Sequence, residues 1–319
     1  MYDSLKLFDD DKPIVMTVKT DLKKLLNKKS TTEYLGADYT VRLPDSSVVT
    51  ERVRIRARGN FRRQYCYIPP IKLNFKNKTS PKLAKLDELE LTNTCRPGTE
   101  YEQLVYKEYL VYKIYNVLTP KSQRVRLVTL TLEDSAGKKS PIHYPAFFLE
   151  DFDAVAKRNK CKEVKIDKLH TENTDREQMT LVAIFEYMIG NTDWSVYANH
   201  NIKLIQGKDS TTSKPYAVAY DFDYAGLVNA PYAVPDEQLG IPDVRTRVYR
   251  GFPREMKELK DMSKLFLEKK DSIYATIKDC TALSARNREE MLRYLDDFYQ
   301  VLIDDRKLKG EFIENARQL

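Results

Sequence analysis

Glycine is scarce in this chain: ten among 319 residues, at 36, 59, 98, 137, 190, 207, 226, 240, 251 and 310, never closer than eleven apart. That spacing excludes GxGxxG, GxxxxGK(S/T) and GxSxG, and with them the dinucleotide fingerprint, the P-loop and the nucleophile elbow. Three histidines, at 143, 170 and 200, allow no HExxH, and four cysteines, at 66, 95, 161 and 280, allow no CxxC pair. Zincin, zinc-ribbon and thioredoxin chemistries are therefore out. No run of eighteen apolar residues occurs and mean hydropathy is −0.57, so no membrane-crossing helix is expected. The start, MYDSLKLFDDDKPIVMTV, lacks a basic segment followed by an apolar stretch, so no signal peptide is visible.

What is present belongs to a globular chain: 42% hydrophobic residues, 32% charged and a net charge of +7. The chemistry left to it runs on Asp, Asn, Lys and Arg. Widely spaced cysteines suit buried thiols in a reducing cytoplasm, or one or two bridges in an oxidising periplasm. The expected location is thus periplasmic or cell-surface if a leader has been trimmed, and otherwise cytoplasmic. Basic residues concentrate in Arg52 to Arg63, which holds six arginines, and in Lys72 to Lys85. Such clusters read first as solvated faces and next as binders of a small phosphate compound. Nucleic-acid binding, through Tyr65 and Tyr67 interleaved with the arginines, ranks below both.

Alternation of apolar and polar residues predicts strands at 13–21, 37–43, 48–58 and 71–76, with a helix in DLKKLLNK and a turn at Pro44-Asp45-Ser46-Ser47. The first 80 residues are thus a mostly antiparallel sheet. A helical period over 99–118 ends at Pro120, and strands return at 125–132 and 144–149. Residues 178–189, QMTLVAIFEYMI, are apolar on nearly every side, which predicts a buried helix capped by Gly190. A hairpin over 201–221 follows, and 255–319 reads as amphipathic helices. The pattern predicts an α+β architecture of two lobes, a sheet-rich 1–150 and a helix-rich 151–319.

The stretch from Gly190 to Gly226, GNTDWSVYANHNIKLIQGKDSTTSKPYAVAYDFDYAG, carries the chemistry. If Gln206 pairs opposite Tyr216, antiparallel register puts Asn201 opposite Asp221. Asp193 lies on the loop feeding that end, and Asp223 two residues beyond Asp221. An amide oxygen and carboxylates so placed suit Mg²⁺ or Mn²⁺ bound to phosphates, with a separate Asp to accept or orient a hydroxyl proton. An EF-hand is excluded, because the loop that would begin at Asp221 carries Ala225 and Tyr232 at positions five and twelve. Trp194 reads as packing, and His200 as a hydrogen-bonded loop residue.

In order, IRARGNFRR, PPIKLNF, AFFLEDFD, GNTDW, NHNIKL and YDFDYAG resemble the CotH spore-coat kinase family and, more distantly, HipA-type kinases, over roughly residues 13–230. The resemblance implies a two-lobed protein-kinase-like fold that binds ATP with Mg²⁺ or Mn²⁺. It would transfer a phosphoryl or other nucleotide-derived group to a hydroxyl, on a protein acceptor. It assigns Arg58, Gly59 and Asn60 to a turn over the phosphates and Lys72 to a phosphate contact. Glu108, with Glu102 as second choice, would hold Lys72, while Phe148, Leu149 and Glu150 line the adenine site. Asp193 would be the catalytic acid–base group, Asn201 and Asp221 metal ligands and Asp223 an assisting one. Two departures stand out: the Asp193-to-Asn201 interval of eight, which lets Asn199 compete, and the lack of a lysine between Asp193 and Asn199. The alternative is a catalytically inactive module that binds a protein or cell-surface partner. Cys66 and Cys95, flanking the strand implied to carry the lysine, are the first choice for a bridge.

Overall fold

The computed structural model describes residues 7–43, 45–76, 78–83, 86–208 and 213–317; Pro44 of the expected turn, Lys85 of the basic cluster and residues 209–212 lie outside these. The chain divides into two compact units, one of residues 1–109 and 124–151, the other of 110–123 and 152–319. The first cut falls inside a long helix, after Tyr109.

The first unit contains β1 (Ile14–Thr20), α1 (Leu22–Lys28), β2 (Leu35–Arg42), β3 (Val48–Ala57), α2 (Phe61–Tyr65), β4 (Ile71–Asn74), β5 (Glu88–Asn93), the start of α3 (Thr99–Leu118), β6 (Val125–Asp134) and β7 (Ile142–Leu149). Strands β1, β2 and β3 alternate, with their apolar side chains on one face, whereas β7 is buried continuously from Tyr144 to Leu149. The seven strands close into a barrel in the order β1-β2-β3-β4-β5-β7-β6. Closure comes from β1, which pairs antiparallel with β2 and parallel with β6, Ile14 through Thr20 against Val128 through Asp134. This corrects the expectation of a two-lobed, protein-kinase-like fold whose first lobe is a mainly antiparallel sheet with one long helix. A strand bonded on both edges leaves the sheet no end, and the ten alternating residues of β6 provide the second edge. Small residues (Ala37, Ala146) beside large ones (Tyr39, Phe75, Phe148) fill the interior.

Phe148 is therefore a core residue, with no exposed surface. Leu149 and Glu150 are buried with it. The Glu150 carboxylate accepts from the Arg124 backbone N–H at 2.9 Å and from its guanidinium at 3.1 and 2.9 Å.

The second unit holds the rest of α3, α4 (Phe152–Arg158), β8 (Cys161–Val164), α5 (Arg176–Ile189), β9 (Ile202–Gly207), β10 (Tyr216–Ala219), α6 (Met256–Glu268), α7 (Lys270–Lys278), α8 (Ala285–Leu302) and α9 (Asp305–Lys309). The strands form one sheet in the order β10-β9-β8. Helix α5 is buried from Gln178 to Ile189, as its sequence demands, and Phe185 stacks on Tyr115 at 4.4 Å. Among the described residues no helix is long and apolar enough to cross a membrane.

Cys66, just past α2, is bridged to Cys95, just past β5; Cys161 and Cys280 are free thiols. The bridge closes a loop over a sequence separation of 29 and pins the segment after Gly59-Asn60 to the barrel wall. Reduction, or a Cys66→Ser/Cys95→Ser double substitution, is expected to lower unfolding free energy by about 3–4 kcal/mol in denaturant titrations. An unchanged midpoint would contradict that role.

Candidate functional site

Helix α5 delivers the chain to the loop. It ends at Gly190 in the left-handed region (φ 69°), whose N–H bonds the carbonyls of Glu186 and Tyr187. Glycine is required there twice over, by the positive φ and because a Cβ would collide with the Tyr294 hydroxyl. Asn191 continues the cap through its N–H to the Glu186 carbonyl at 2.8 Å, and its side-chain oxygen accepts the Asp193 N–H at 3.1 Å. Ser195 and His200 exchange two backbone hydrogen bonds at 2.9 Å, which pinches the loop closed before β9.

Three positions at this end adopt positive φ without being glycine: Asn199 (49°), Asn201 (51°) and Asp221 (63°). Asn and Asp tolerate that region because their short side chains bond the local backbone. The strand register differs by one residue from the expectation: Tyr216 pairs with Ile205 and Ala219 with Ile202. The Tyr220 N–H then reaches the Asn201 carbonyl at 3.1 Å, which puts Asn201 opposite Tyr220 rather than Asp221. Asp221 lies one residue past the ladder, where it turns out and gives its N–H to the Tyr112 hydroxyl at 2.9 Å.

These turns bring Asp193 and Asn201 into contact. The Asn201 side-chain amide donates to the Asp193 carbonyl at 2.7 Å and to its carboxylate at 3.0 Å, which leaves the Asn201 amide oxygen for another partner. Asn199 instead points its amide at the Ile166 carbonyl (3.3 Å) and Asp167 (3.4 Å), so of the two asparagines Asn201 is the one on Asp193. His200 Nε2 lies 2.7 Å from the other Asp193 oxygen. That hydrogen bond raises the His200 pKa above its usual value against the effect of burial, with the charges of Asp193 and Asp221 adding to it. Asp223 is buried and accepts from the Tyr232 hydroxyl at 3.1 Å. Tyr224 registers the whole group: burial, then the charges of Asp223, Asp193 and Asp221, push its phenol up to about 12. Among the described residues no three His, Cys, Asp or Glu side chains converge as a metal cage.

Beneath the loop lies a buried acid. Glu186 is enclosed at the end of α5, and among the described residues neither of its carboxyl oxygens is hydrogen-bonded. The Asn191 amide lies beside that carboxyl, and the Trp194 ring N–H is buried without a partner among the described residues. Trp194 is packed into the interior, as expected for it.

The candidate residues of the first unit form a different environment. Gly59 has a φ of 75°, the positive value its turn needs, and Asn60 begins α2. Lys72 projects from β4 between Glu88 (2.6 Å) and Glu90 (3.3 Å) on β5. Asn74 and Tyr34 also bond Glu88, and Arg54 bonds Asn74. Burial alone would raise the Glu88 pKa, but the bonds from Lys72, Asn74 and Tyr34 hold it at about 2. Arg58 pairs with Glu90 at 3.4 Å and donates to Thr92 at 3.1 Å, while Arg52 pairs with Asp38 at 2.6 Å. Much of the basic cluster is thus laced to acids on neighbouring strands.

Glu108 does not hold Lys72. It pairs with Arg62 at 3.1 Å, both side chains being largely buried, and Arg62 also donates to the Asn93 carbonyl at 2.5 Å. A guanidinium matches a carboxylate fork better than an ammonium does, and Lys72 is already engaged by two closer acids. Glu102, the second choice, sits in the exposed-to-half-buried first turns of α3.

Compared with known proteins, the chain matches no protein-family model and no curated protein.

Glu186 yields a pH prediction. Burial first of all, opposed by the neighbouring Asn191 amide and aided by the Asp193 charge, raises its carboxyl pKa well above the ordinary 4.5, so the folded state keeps a proton that the unfolded chain releases. Stability should therefore fall as pH rises above about 4.5, by at most ~1.4 kcal/mol per pH unit, until the folded-state pKa is passed. Glu186→Gln is expected to remove that slope, so its stability relative to wild type should grow with pH. A pH-independent difference in chemical denaturation would contradict the assignment.

Proposed function

We propose that the chain is a CotH-like phosphotransferase that uses ATP and a divalent metal to phosphorylate a hydroxyl on a protein. The observation that carries this reading is the seat of Asp193, whose carboxylate is fixed by Asn201 and His200 beside Asp221. The hydroxyl oxygen bonds the γ-phosphorus as the bond from that phosphorus to the bridging oxygen breaks. The hydroxyl proton passes to Asp193, and ADP leaves. Positioning and charge complementarity supply the rate.

The residues present fit a small hard cation. The free Asn201 amide oxygen and the Asp221 carboxylate offer two oxygens at one hairpin end, with Asp223 held nearby by Tyr232. Mg²⁺ takes one or two protein carboxylates plus substrate phosphates rather than a protein cage, which accounts for a site without three converging acids. When bound, the metal would neutralise phosphate charge. The roles of Arg58, Gly59, Asn60 and Lys72 toward the nucleotide rest on the resemblance. The Cys66–Cys95 bridge supports an oxidising compartment.

A second reading, an inactive module that binds a partner, draws on Lys72 being enclosed by Glu88 and Glu90. Calorimetry with ATP separates the two. Wild type should bind ATP only with Mg²⁺ or Mn²⁺, and Asp221→Ala should lose that binding. Asp193→Ala should bind nearly as wild type while transfer of labelled γ-phosphate falls about 10²–10⁴-fold. A wild type that ignores ATP with either metal favours the partner-binding module, and undiminished transfer by Asp193→Ala removes its catalytic role.

A further inference from the structure

The loop between Asp193 and Asn199 contains no cation, and the fold brings one to it from elsewhere. We propose that Arg250 binds the anionic group of the substrate at the Asp193 loop and so acts as a catalytic residue there. With the phosphotransfer reading, on which the identity of the anion rests, that group is the phosphoryl moiety in transit from the bridging oxygen to the acceptor oxygen.

Arg250 belongs to RTRVYRGFPR, residues 245–254, which carries four arginines. Three of them have structural work. Arg245 pairs with Glu290 at 2.6 Å. Arg254 is buried, pairs with Glu172 at 2.7 Å and bonds Thr180 at 2.8 Å. Arg247 donates to the carbonyls of Met188 (3.1 Å) and Tyr294 (2.5 Å) and lies 3.7 Å over the Tyr294 ring. Arg250 differs from Arg245 and Arg254 in having no ion pair, and from Arg247 in having neither a second carbonyl nor an aromatic ring beneath it. Its one hydrogen bond goes to the carbonyl of Thr192, the residue before Asp193, and no carboxylate lies within ion-pairing distance of it among the described residues.

A half-buried guanidinium without a counter-ion is costly, and its usual remedy is a bound anion. Burial, then Arg317, pull its pKa below the ordinary arginine value, while Asp236 and Asp193 oppose them. Its charge also reaches His200, so the guanidinium belongs to the same group of charges as Asp193 and Asp221. The Thr192 bond occupies part of a five-donor fork whose remaining N–H groups match two phosphate oxygens. Anchoring through the backbone beside Asp193 fixes the fork relative to the carboxylate that takes the hydroxyl proton. An arginine so placed offsets the charge on the equatorial oxygens during transfer.

The test is calorimetric titration of wild type, Arg250→Met and Arg250→Lys with Mn²⁺-ATP and with Mn²⁺-pyrophosphate, with near-UV circular dichroism as the check of fold. Arg250→Gln replaces the methionine variant if that fails to fold. Loss of a charged hydrogen-bond pair predicts affinities about 10- to 100-fold weaker in Arg250→Met, partly restored in Arg250→Lys. Pyrophosphate binding that depends on Arg250 in a protein that ignores ATP would sink the nucleotide reading and sustain the anion site. Equal affinities in wild type and Arg250→Met, or a wild type that binds neither anion, would overturn the proposal.

Discussion

The last rung of the β9–β10 ladder, from the Tyr220 N–H to the Asn201 carbonyl, sets the geometry around Asp193 in the second unit. Past it both strands leave the sheet through left-handed residues, Asn201 on one side and Asp221 on the other. Without that shared exit Asn201 would not reach back to the Asp193 carbonyl and carboxylate, nor would His200 meet the other oxygen. The loop is short, pinched by the Ser195–His200 pair and anchored on a buried helix, so its carboxylate is fixed before any ligand arrives. That pre-organisation is what a site working by positioning requires.

Much of this was legible in the sequence, and the losses have a common cause. Strand patterns located β1 to β4, β6 and β7, and the apolar run before Gly190 located α5, because burial on one face leaves a local period and burial on all faces an unbroken apolar run, whereas β5 (Glu88–Asn93) was missed. Barrel closure was not legible, since the parallel pairing of β1 with β6 joins residues more than 100 positions apart and leaves no local mark. The one-residue difference in hairpin register has the same character, being set by where the ladder stops rather than by the strand pattern.

Side-chain partners followed the same rule. Lys72 and Glu108 are each where a strand lysine and a helix acid would be sought, yet cross-strand neighbours take the lysine and Arg62 takes the acid. Phe148 has the composition of a pocket residue and the position of a core one. Arg250 could have been marked as one of four arginines within ten residues, but only the structure separates the three with partners of their own from the one resting on the Asp193 loop. The functional reading accordingly stands on the site and not on the fold, since one fold hosts many chemistries and one chemistry recurs on many folds.

The central claim is that the hairpin end provides an incomplete cation site which a nucleotide completes. Electron paramagnetic resonance of Mn²⁺ titrated into the wild-type protein, with and without ATP, tests it directly. The account predicts little protein-bound Mn²⁺ alone and a protein-dependent spectrum, distinct from that of free Mn²⁺-ATP, once nucleotide is added. Equal Mn²⁺ binding with and without ATP, or no protein-dependent signal in either case, would contradict it.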